Sequence, residues 1–266
     1  MPEPKVCVLR IAGTNCDQET AFAFEKVGGS VDLVHINQLI RKQKSLSDYQ
    51  ILAIPGGFTY GDDISAGKIL ANELRFKLID EIKKFIADGK LMIGICNGFQ
   101  VLVKSGLLPG NGGLKQETSL IINDSGKFED RWVYLKTQSA KTGKAQNCIW
   151  TRNLPEIIYL PVAHGEGKFV TQNKEVLGRL KKNGQVVFQY CNEAGESSGY
   201  PDNPNGSQDS IAGISDETGR ILGLMPHPER HITISQHPRW LNKKNKKQGD
   251  GLQIFRNGVE YVKKNL

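Results

Sequence analysis

A chain of 266 residues with 24% charged and 38% hydrophobic residues has the composition of a globular protein, which excludes extensive disorder. No apolar run approaches the ~20 residues of a membrane span and no leader peptide is recognisable, so we expect a cytoplasmic protein without membrane contact. Most of the net charge of +7 lies in residues 239–266, where eight Lys and Arg stand against two acidic residues. The basic run at 243–247 has no interleaved aromatic residues, so we expect a solvated surface and no nucleic-acid partner.

The cysteines and the length limit the class of protein further. Five cysteines are odd in number and include no Cys-x-x-Cys pair, which argues against a disulfide framework and against a zinc site. We therefore expect no metal. The length suits one large α/β domain, and no repeat or low-complexity linker divides the chain, so a single domain is predicted over 1–266.

The first half of the chain alternates short apolar runs with helix-length segments, which is typical of parallel strands joined by helical crossovers. Strands are predicted at 5–11, 31–36, 51–54 and 91–95. A helix is predicted over 18–27 and a single long amphipathic helix over 65–87, where apolar residues from Leu70 to Ile86 recur every four positions. Ligands of open α/β sheets bind at the carboxyl ends of strands, so the loops after Ile11, Ile54 and Ile95 should share one rim.

The second half predicts shorter strands and one closing helix. Strands are predicted at 132–136, 157–162, 186–190, 211–215 and 221–225, the last two as a pair. Residues 195–208 are rich in Gly, Pro, Asn and Ser and should form a surface loop, and a helix is predicted over 251–264. The predicted fold is α/β: a flavodoxin-like, mostly parallel central sheet flanked by helices, with a smaller antiparallel β region.

A tight turn follows the strand at 91–95, where Cys96 stands between Gly94 and Gly98. The spacing is that of the Gly-x-Ser-x-Gly nucleophile elbow with sulfur in place of oxygen. Flanking glycines remove side chains that would clash in such a turn, and the following helix N-terminus favours a thiolate. Cys96 is thus a candidate nucleophile. The alternative is a core thiol, because free Cys is among the most buried residue types.

A thiol nucleophile needs a base, and that base needs an orienting group. His227 and Glu229 lie two residues apart just after a predicted strand, and in an extended segment both side chains would share a face while Pro228 points away. The alternative is a rigid exposed turn. Three other histidines are rival bases, of which His164 in a Gly-rich loop is the strongest; the others are His231 and His237.

An oxyanion hole is the second requirement, and an elbow supplies it from backbone N–H groups. The residue after the nucleophile, Asn97, provides one donor. Gly57 is the predicted second donor because the Gly56-Gly57 pair lets the backbone approach a substrate closely. The alternative for these glycines is a simple turn.

Five motifs together resemble one family. They are Gly-Thr-Asn-Cys-Asp at 13–17, Pro-Gly-Gly-Phe-Thr-Tyr-Gly-Asp at 55–62, Gly-Ile-Cys-Asn-Gly-Phe-Gln at 94–100, Ala-His-Gly-Glu-Gly-Lys-Phe at 163–169 and Met-Pro-His-Pro-Glu-Arg at 225–230. In this order they closely resemble the glutaminase subunit of phosphoribosylformylglycinamidine synthase. Cys-x-Gly-x-Gln alone would indicate any class I glutamine amidotransferase, and the other motifs narrow the resemblance to the purine enzyme.

The resemblance implies a class I glutamine amidotransferase fold and a Cys-His-Glu triad of Cys96, His227 and Glu229. The enzyme would hydrolyse glutamine to glutamate and ammonia. The ammonia would pass to a large ATP-dependent synthetase subunit that makes formylglycinamidine ribonucleotide in purine biosynthesis. Whether a small third subunit takes part is left open.

The resemblance also implies that Gln100, His164 and Glu166 help to hold glutamine. No cofactor is expected in this chain, because Gly61 to Lys68 has one residue too many between its glycines for a phosphate loop and lacks the following Ser or Thr. ATP and Mg²⁺ are therefore assigned to the partner synthetase.

Two segments of the chain depart from the pattern of the separate glutaminase subunits. The loop at 199–207 and the segment at 237–240 look more like the glutaminase domain of large single-chain synthases than like a separate subunit.

Two alternative functions remain open. One is a free-standing cysteine hydrolase of the same fold, and the other is a binding module that has lost its catalytic activity.

Overall fold

The computed structural model describes residues 3–110, 113–138, 148–242 and 247–266, so most of the basic run at 243–247 lies outside the described residues. The strands are β1 (Lys5–Arg10), β2 (Ser30–His35), β3 (Ile51–Ile54), β4 (Leu91–Ile95), β5 (Thr118–Ile121), β6 (Glu129–Thr137), β7 (Ile157–His164), β8 (Lys168–Thr171), β9 (Val186–Cys191), β10 (Ile211–Ser215) and β11 (Ile221–Leu224). The helices are α1 (Asp17–Glu25), α2 (Ile36–Ile40), α3 (Lys68–Lys77), α4 (Ile79–Ala87), α5 (Asn97–Lys104), α6 (Lys174–Lys182) and α7 (Leu252–Asn265). None of these helices is long and apolar enough to cross a membrane.

A nine-stranded sheet, in the order β2-β1-β3-β4-β11-β10-β9-β6-β7, organises the described chain. The first five strands in this order pair in parallel, and the other four extend the same sheet by antiparallel pairs. A separate antiparallel pair joins β5 to β8. The predicted α/β fold with an additional antiparallel region is confirmed. Strands from both halves of the sequence join one sheet. The single domain over 1–266 stays a prediction.

The strands that carry the site lie in the middle of this sheet and are buried along their whole length. Every residue of β3, β4 and β11 is buried, as expected for parallel strands that are covered by helices on both faces. All eight residues of α5 are buried as well. The loops at the carboxyl ends of these strands are therefore held on a rigid base.

The helix predicted over 65–87 is wrong as one continuous element. It is divided into α3 and α4 at Leu78, whose φ of −128° and ψ of 7° are not helical. A side chain every four residues advances by 400° in an α-helix, so this row turns by about 40° at each step and cannot stay on one face. The break at Leu78 allows Leu74, Leu78 and Ile82 all to be buried.

Candidate active site

The loops that follow four of the parallel strands meet at one place, as predicted for the carboxyl edge of the sheet. Gly56, after β3, lies at its centre: a Cβ placed there would stand 3.2 Å from Cys16 Sγ, 3.4 Å from Cys96 Cβ and 2.8 Å from His227 Cε1. Cys16 follows β1, Cys96 follows β4 and His227 follows β11. The parallel pairing of these strands therefore brings together side chains that are far apart in sequence, and only glycine fits between them.

Cys96 occupies the turn between β4 and α5 with φ of 51° and ψ of −106°, a conformation that is strained for any residue with a side chain. The flanking glycines make the turn possible. A Cβ at Gly98 would stand 1.9 Å from the Ile54 carbonyl oxygen, and one at Gly94 would stand 2.5 Å from the Gly98 oxygen. The thiol is 5% exposed and lies 3.6 Å from the Ala163 carbonyl oxygen. The predicted elbow is present.

His227 and Glu229 form a buried pair beside this thiol. His227 Nδ1 lies 2.6 Å from Glu229 Oε1, and the two side chains are 2% and 0% exposed. Burial alone lowers the pKa of His227, but the Glu229 carboxylate and the neighbouring Cys96 and Cys16 thiols outweigh it and raise that pKa well above its usual value. Because Glu229 engages Nδ1, Nε2 is the nitrogen available to Cys96.

The local backbone differs from the predicted extended segment. His227 is extended, but Pro228–Arg230 form a 3-10 turn that begins with the proline, a residue whose fixed φ suits the first position of a helical turn. The turn, rather than an alternating strand, brings Glu229 to the imidazole. The His227 N–H donates to the Pro161 carbonyl at 2.8 Å, which fixes the start of the turn on β7.

The backbone N–H groups of Gly57 and Asn97 are the predicted oxyanion-hole donors, and this role stays a prediction. Gly57 has φ of 146° and forms an isolated antiparallel bridge with Thr14. The bridge is closed by the Phe58 N–H, which donates to the Gly13 carbonyl at 2.8 Å, so the Gly57 N–H is not used there. Asn97 opens α5, where the first N–H groups of a helix have no partner within the helix.

Gln100 and Glu166 join α5 to the loop after β7. Gln100 Nε2 donates to the Glu166 carbonyl at 2.6 Å, and Gln100 Oε1 accepts from Asn97 Nδ2 at 2.9 Å. The Glu166 carboxylate accepts from the Ala66 N–H at 3.3 Å and lies 3.5 Å from Lys104 Nζ. Both ends of the Gln100 amide are thus engaged by protein groups, so its structural role is to hold the loop. The predicted glutamine contacts of Gln100 and Glu166 stay predictions.

His164 is buried at 3% exposure and lies 3.4 Å from Asn205 Nδ2 through its Nε2. Burial, with a further contribution from His227, lowers its pKa to about 4, so it is neutral at pH 7. Gly167 passes so close that a Cβ there would stand 2.4 Å from the ring. Because Glu229 pairs with His227, the geometry favours His227 over His164 as the base.

Comparison with known proteins agrees with this geometry. A family model described as the CobB/CobQ-like glutamine amidotransferase domain matches residues 3–262. The chain is 48% identical to the phosphoribosylformylglycinamidine synthase subunit PurQ of Dehalococcoides mccartyi, over 99% of both chains. It is 45% identical to the subunit of the same name from Archaeoglobus fulgidus, over 98% of both chains. This chain belongs to the PurQ family of glutamine amidotransferases. The resemblance inferred from the motifs is confirmed.

A solved structure shares the fold along the whole chain. The structure of PurLQS from Thermotoga maritima matches with a TM-score of 0.74 and 31% identity, covering 98% of this chain and 100% of that chain. The relatives named as PurQ subunits match along nearly their whole length. The likeness of the loop at 199–207 and of the segment at 237–240 to a single-chain synthase is not tested by these matches and stays a prediction.

Two residues of the site have no role in the sequence-based prediction. Cys16 is 1% exposed, and its Sγ lies 3.9 Å from His227 Nδ1. The same sulfur accepts a hydrogen bond of 3.1 Å from the Arg230 guanidinium. Burial raises the pKa of its thiol, which disfavours the thiolate form. Lys104 is 5% exposed and donates to the Ala66 carbonyl at 2.6 Å. The loop that contains Cys16 could be predicted, because ligands of open α/β sheets bind at the carboxyl ends of strands. Nothing in the sequence indicates that the Lys104 side chain is buried.

Proposed function

We propose that this chain is the glutaminase subunit of phosphoribosylformylglycinamidine synthase and that it hydrolyses glutamine to glutamate and ammonia. The observation that carries the proposal is the strained Cys96 elbow beside the buried pair of His227 and Glu229. The family supports the same activity, since relatives at 41–48% identity bear the subunit name. A binding module without chemistry would have no reason to maintain a buried His-Glu pair next to a strained thiol.

The first half of the reaction forms a thioester. The Cys96 sulfur attacks the side-chain carbonyl carbon of glutamine while His227 Nε2 takes the thiol proton, and Glu229 stabilises the resulting imidazolium. The N–H groups of Gly57 and Asn97 donate to the oxygen that gains negative charge. His227 then returns its proton to the amide nitrogen, the C–N bond breaks, and ammonia leaves.

The second half releases glutamate. Water enters the position that ammonia has left, and His227 Nε2 takes one of its protons as the oxygen attacks the thioester carbonyl. The same two N–H groups hold the new oxyanion. The C–S bond breaks, the proton returns to the Cys96 sulfur, and the free enzyme is restored. One residue thus serves as base and acid in both halves, and the Glu229 carboxylate, which raises the pKa of His227, stabilises the imidazolium between the two proton transfers.

We further propose that the ammonia passes to a large ATP-dependent synthetase, which forms formylglycinamidine ribonucleotide. The family assignment supports this partner, and the PurLQS assembly of Thermotoga maritima supports a small third subunit. ATP and Mg²⁺ would be bound by the synthetase, with no cofactor in this chain. A cytoplasmic location fits five cysteines that are all free and buried.

A glutamine-analogue electrophile tests the nucleophile. Labelling should place one adduct on Cys96, located by mass spectrometry of peptides, and prior glutamine should slow the reaction. Cys96→Ser should lose both the adduct and the glutaminase activity. Cys191→Ala, which removes another buried thiol, should keep both. Glutaminase activity in Cys96→Ser, or an adduct on another cysteine, would show that the mechanism is wrong.

The proposed subunit and a free-standing hydrolase differ in whether glutamine turnover depends on a partner protein. Glutamine turnover should rise when the synthetase and its substrates are added, and ammonia should appear in formylglycinamidine ribonucleotide rather than in solution. Full turnover by the isolated chain, unchanged by the synthetase, would favour the free-standing hydrolase. No observation on the described residues favours that alternative.

A further inference from the structure

A second thiol completes a cluster of metal-binding atoms at the catalytic pair. Cys16, His227 and Glu229 each offer one ligand atom, and these atoms lie within 4.8 Å of one another. All three residues are buried, with whole-residue exposed fractions of 1%, 2% and 1%. The sequence argues against zinc only because it shows no closely spaced cysteines; the fold assembles this set from loops that are more than 200 positions apart.

The distances suit a small soft cation. Zinc bonds of about 2.3 Å to sulfur and 2.0 Å to nitrogen at a tetrahedral angle separate the two ligand atoms by roughly 3.5 Å, and Cys16 Sγ lies 3.9 Å from His227 Nδ1. The same reasoning separates nitrogen and oxygen ligands by about 3.3 Å, whereas His227 Nδ1 and Glu229 Oε1 are 2.6 Å apart through a hydrogen bond. A small rotation of the carboxylate would exchange the hydrogen bond for a metal bond.

A separate observation points to a ligand at this place. Glu229 Oε2 is buried and accepts no hydrogen bond from any of the described residues, although a buried carboxylate oxygen normally has a partner. A cation between Cys16 and His227 would satisfy it. The charges also balance, because a Cys16 thiolate and the Glu229 carboxylate neutralise a divalent cation.

The surroundings support a metal-bound thiolate as well. An Arg230 nitrogen lies 3.1 Å from Cys16 Sγ, and Arg230 is in turn paired with Glu19 at 3.1 Å. N–H donation to a ligating sulfur is the kind of outer interaction that orients metal ligands. The guanidinium is compensated by Glu19 and therefore adds no net charge to the cluster.

We propose that Cys16, His227 and Glu229 form an inhibitory site for a divalent cation of the zinc class. Binding releases the Cys16 thiol proton and places the metal on His227 Nδ1. The remaining ring proton must then reside on Nε2, so the imidazole can no longer accept the proton of Cys96. The inhibition rests on the proposed glutaminase function, whereas the binding of the metal does not.

Binding is measured with Cd²⁺ and Zn²⁺ on the full chain. Cys96→Ala should keep one tight site with the ultraviolet charge-transfer absorption of a cadmium thiolate. Cys16→Ser should weaken binding at least tenfold and should weaken Zn²⁺ inhibition of glutaminase activity by the same factor, while Cys191→Ala should change neither. Binding lost in Cys96→Ala but retained in Cys16→Ser would place the metal on the nucleophile and overturn the proposal.

The wild-type protein gives a second measurement that needs no variant. An anomalous difference map of a Cd²⁺-soaked crystal should show a peak between Cys16 Sγ and His227 Nδ1. A peak elsewhere, or none at this position, refutes the site. If Cd²⁺ binds there but glutaminase activity is absent without metal, the proposed function fails and the metal site stands.

Discussion

Gly98→Ala tests whether the elbow depends on close contact between backbones. The added Cβ would stand 1.9 Å from the Ile54 carbonyl oxygen and 2.7 Å from its carbon. An ordinary van der Waals contact of a Cβ atom is 3.4–4 Å, so β3 and α5 would have to separate by more than about 1 Å. Inserting one carbon into a packed core costs about 1–3 kcal/mol, and we expect about 3 kcal/mol because backbone atoms on both sides leave no side chain free to move.

That loss is a large part of a typical unfolding free energy of about 5–15 kcal/mol, and urea unfolding at pH 7 measures it directly. The matched control is Gly178→Ala. Gly178 lies inside α6, and a Cβ there would meet nothing within 4 Å, so alanine should stabilise the chain by about 0.5–1 kcal/mol. The reasoning is refuted if Gly98→Ala unfolds within 1 kcal/mol of the wild type, or if both variants change stability in the same direction.

Three further predictions concern charges in the site. Glu229→Gln removes the carboxylate that raises the pKa of His227, so kcat/KM should fall by about 10²–10⁴-fold. The acidic limb of the pH profile, where the base His227 becomes protonated, should move to lower pH, and an unmoved limb contradicts the role. The pKa of about 4 for His164 lies below its unfolded value near 6.5, so its penalty is absent above pH 6.5 and reaches about 3 kcal/mol at pH 4. His164→Asn should therefore flatten the loss of unfolding free energy between these pH values, and an equally steep loss would refute this. Lys104→Met removes the amine between the Ala66 carbonyl and Glu166, so KM for glutamine should rise more than kcat falls; an unchanged KM would exclude a role in holding these loops.

The parts of the fold that the sequence predicts best are those with one dominant physical signal. Strands β3 and β4 match their predicted bounds at both ends, because each is a short apolar run that is buried on both faces. α2 and α6 were not predicted. α2 has only five residues, and α6 has Gly178 in its middle, although Asn173 caps its start at 2.9 Å. Short or glycine-containing helices depend on tertiary contacts that a single sequence does not show.

The site divides along the same line. The elbow was predictable because Cys96 and its two glycines satisfy a local steric demand within five residues. The contacts of Cys16 with His227 and Arg230 depend on the order of four strands and on the exact register of their loops. The sequence predicts which loops lie at the carboxyl edge of the sheet, but it does not predict the direction in which each side chain on those loops points.

The structure also gives a physical reason why the motifs occur together. Asn97 accepts from Thr59 Oγ1 at 2.7 Å and so joins the elbow to the loop after β3. Phe99 stacks on Phe169 with ring centroids 6.3 Å apart, and it fills the space left by Gly223, where a Cβ would stand 2.1 Å from its ring. The elbow therefore carries on one turn of helix the side chains that fix both loops beside the nucleophile. Asn97 and Phe99 are the residues that distinguish this elbow from that of other glutamine amidotransferases, and both contact residues of another motif. A substitution at either position should therefore disturb the loop that it contacts.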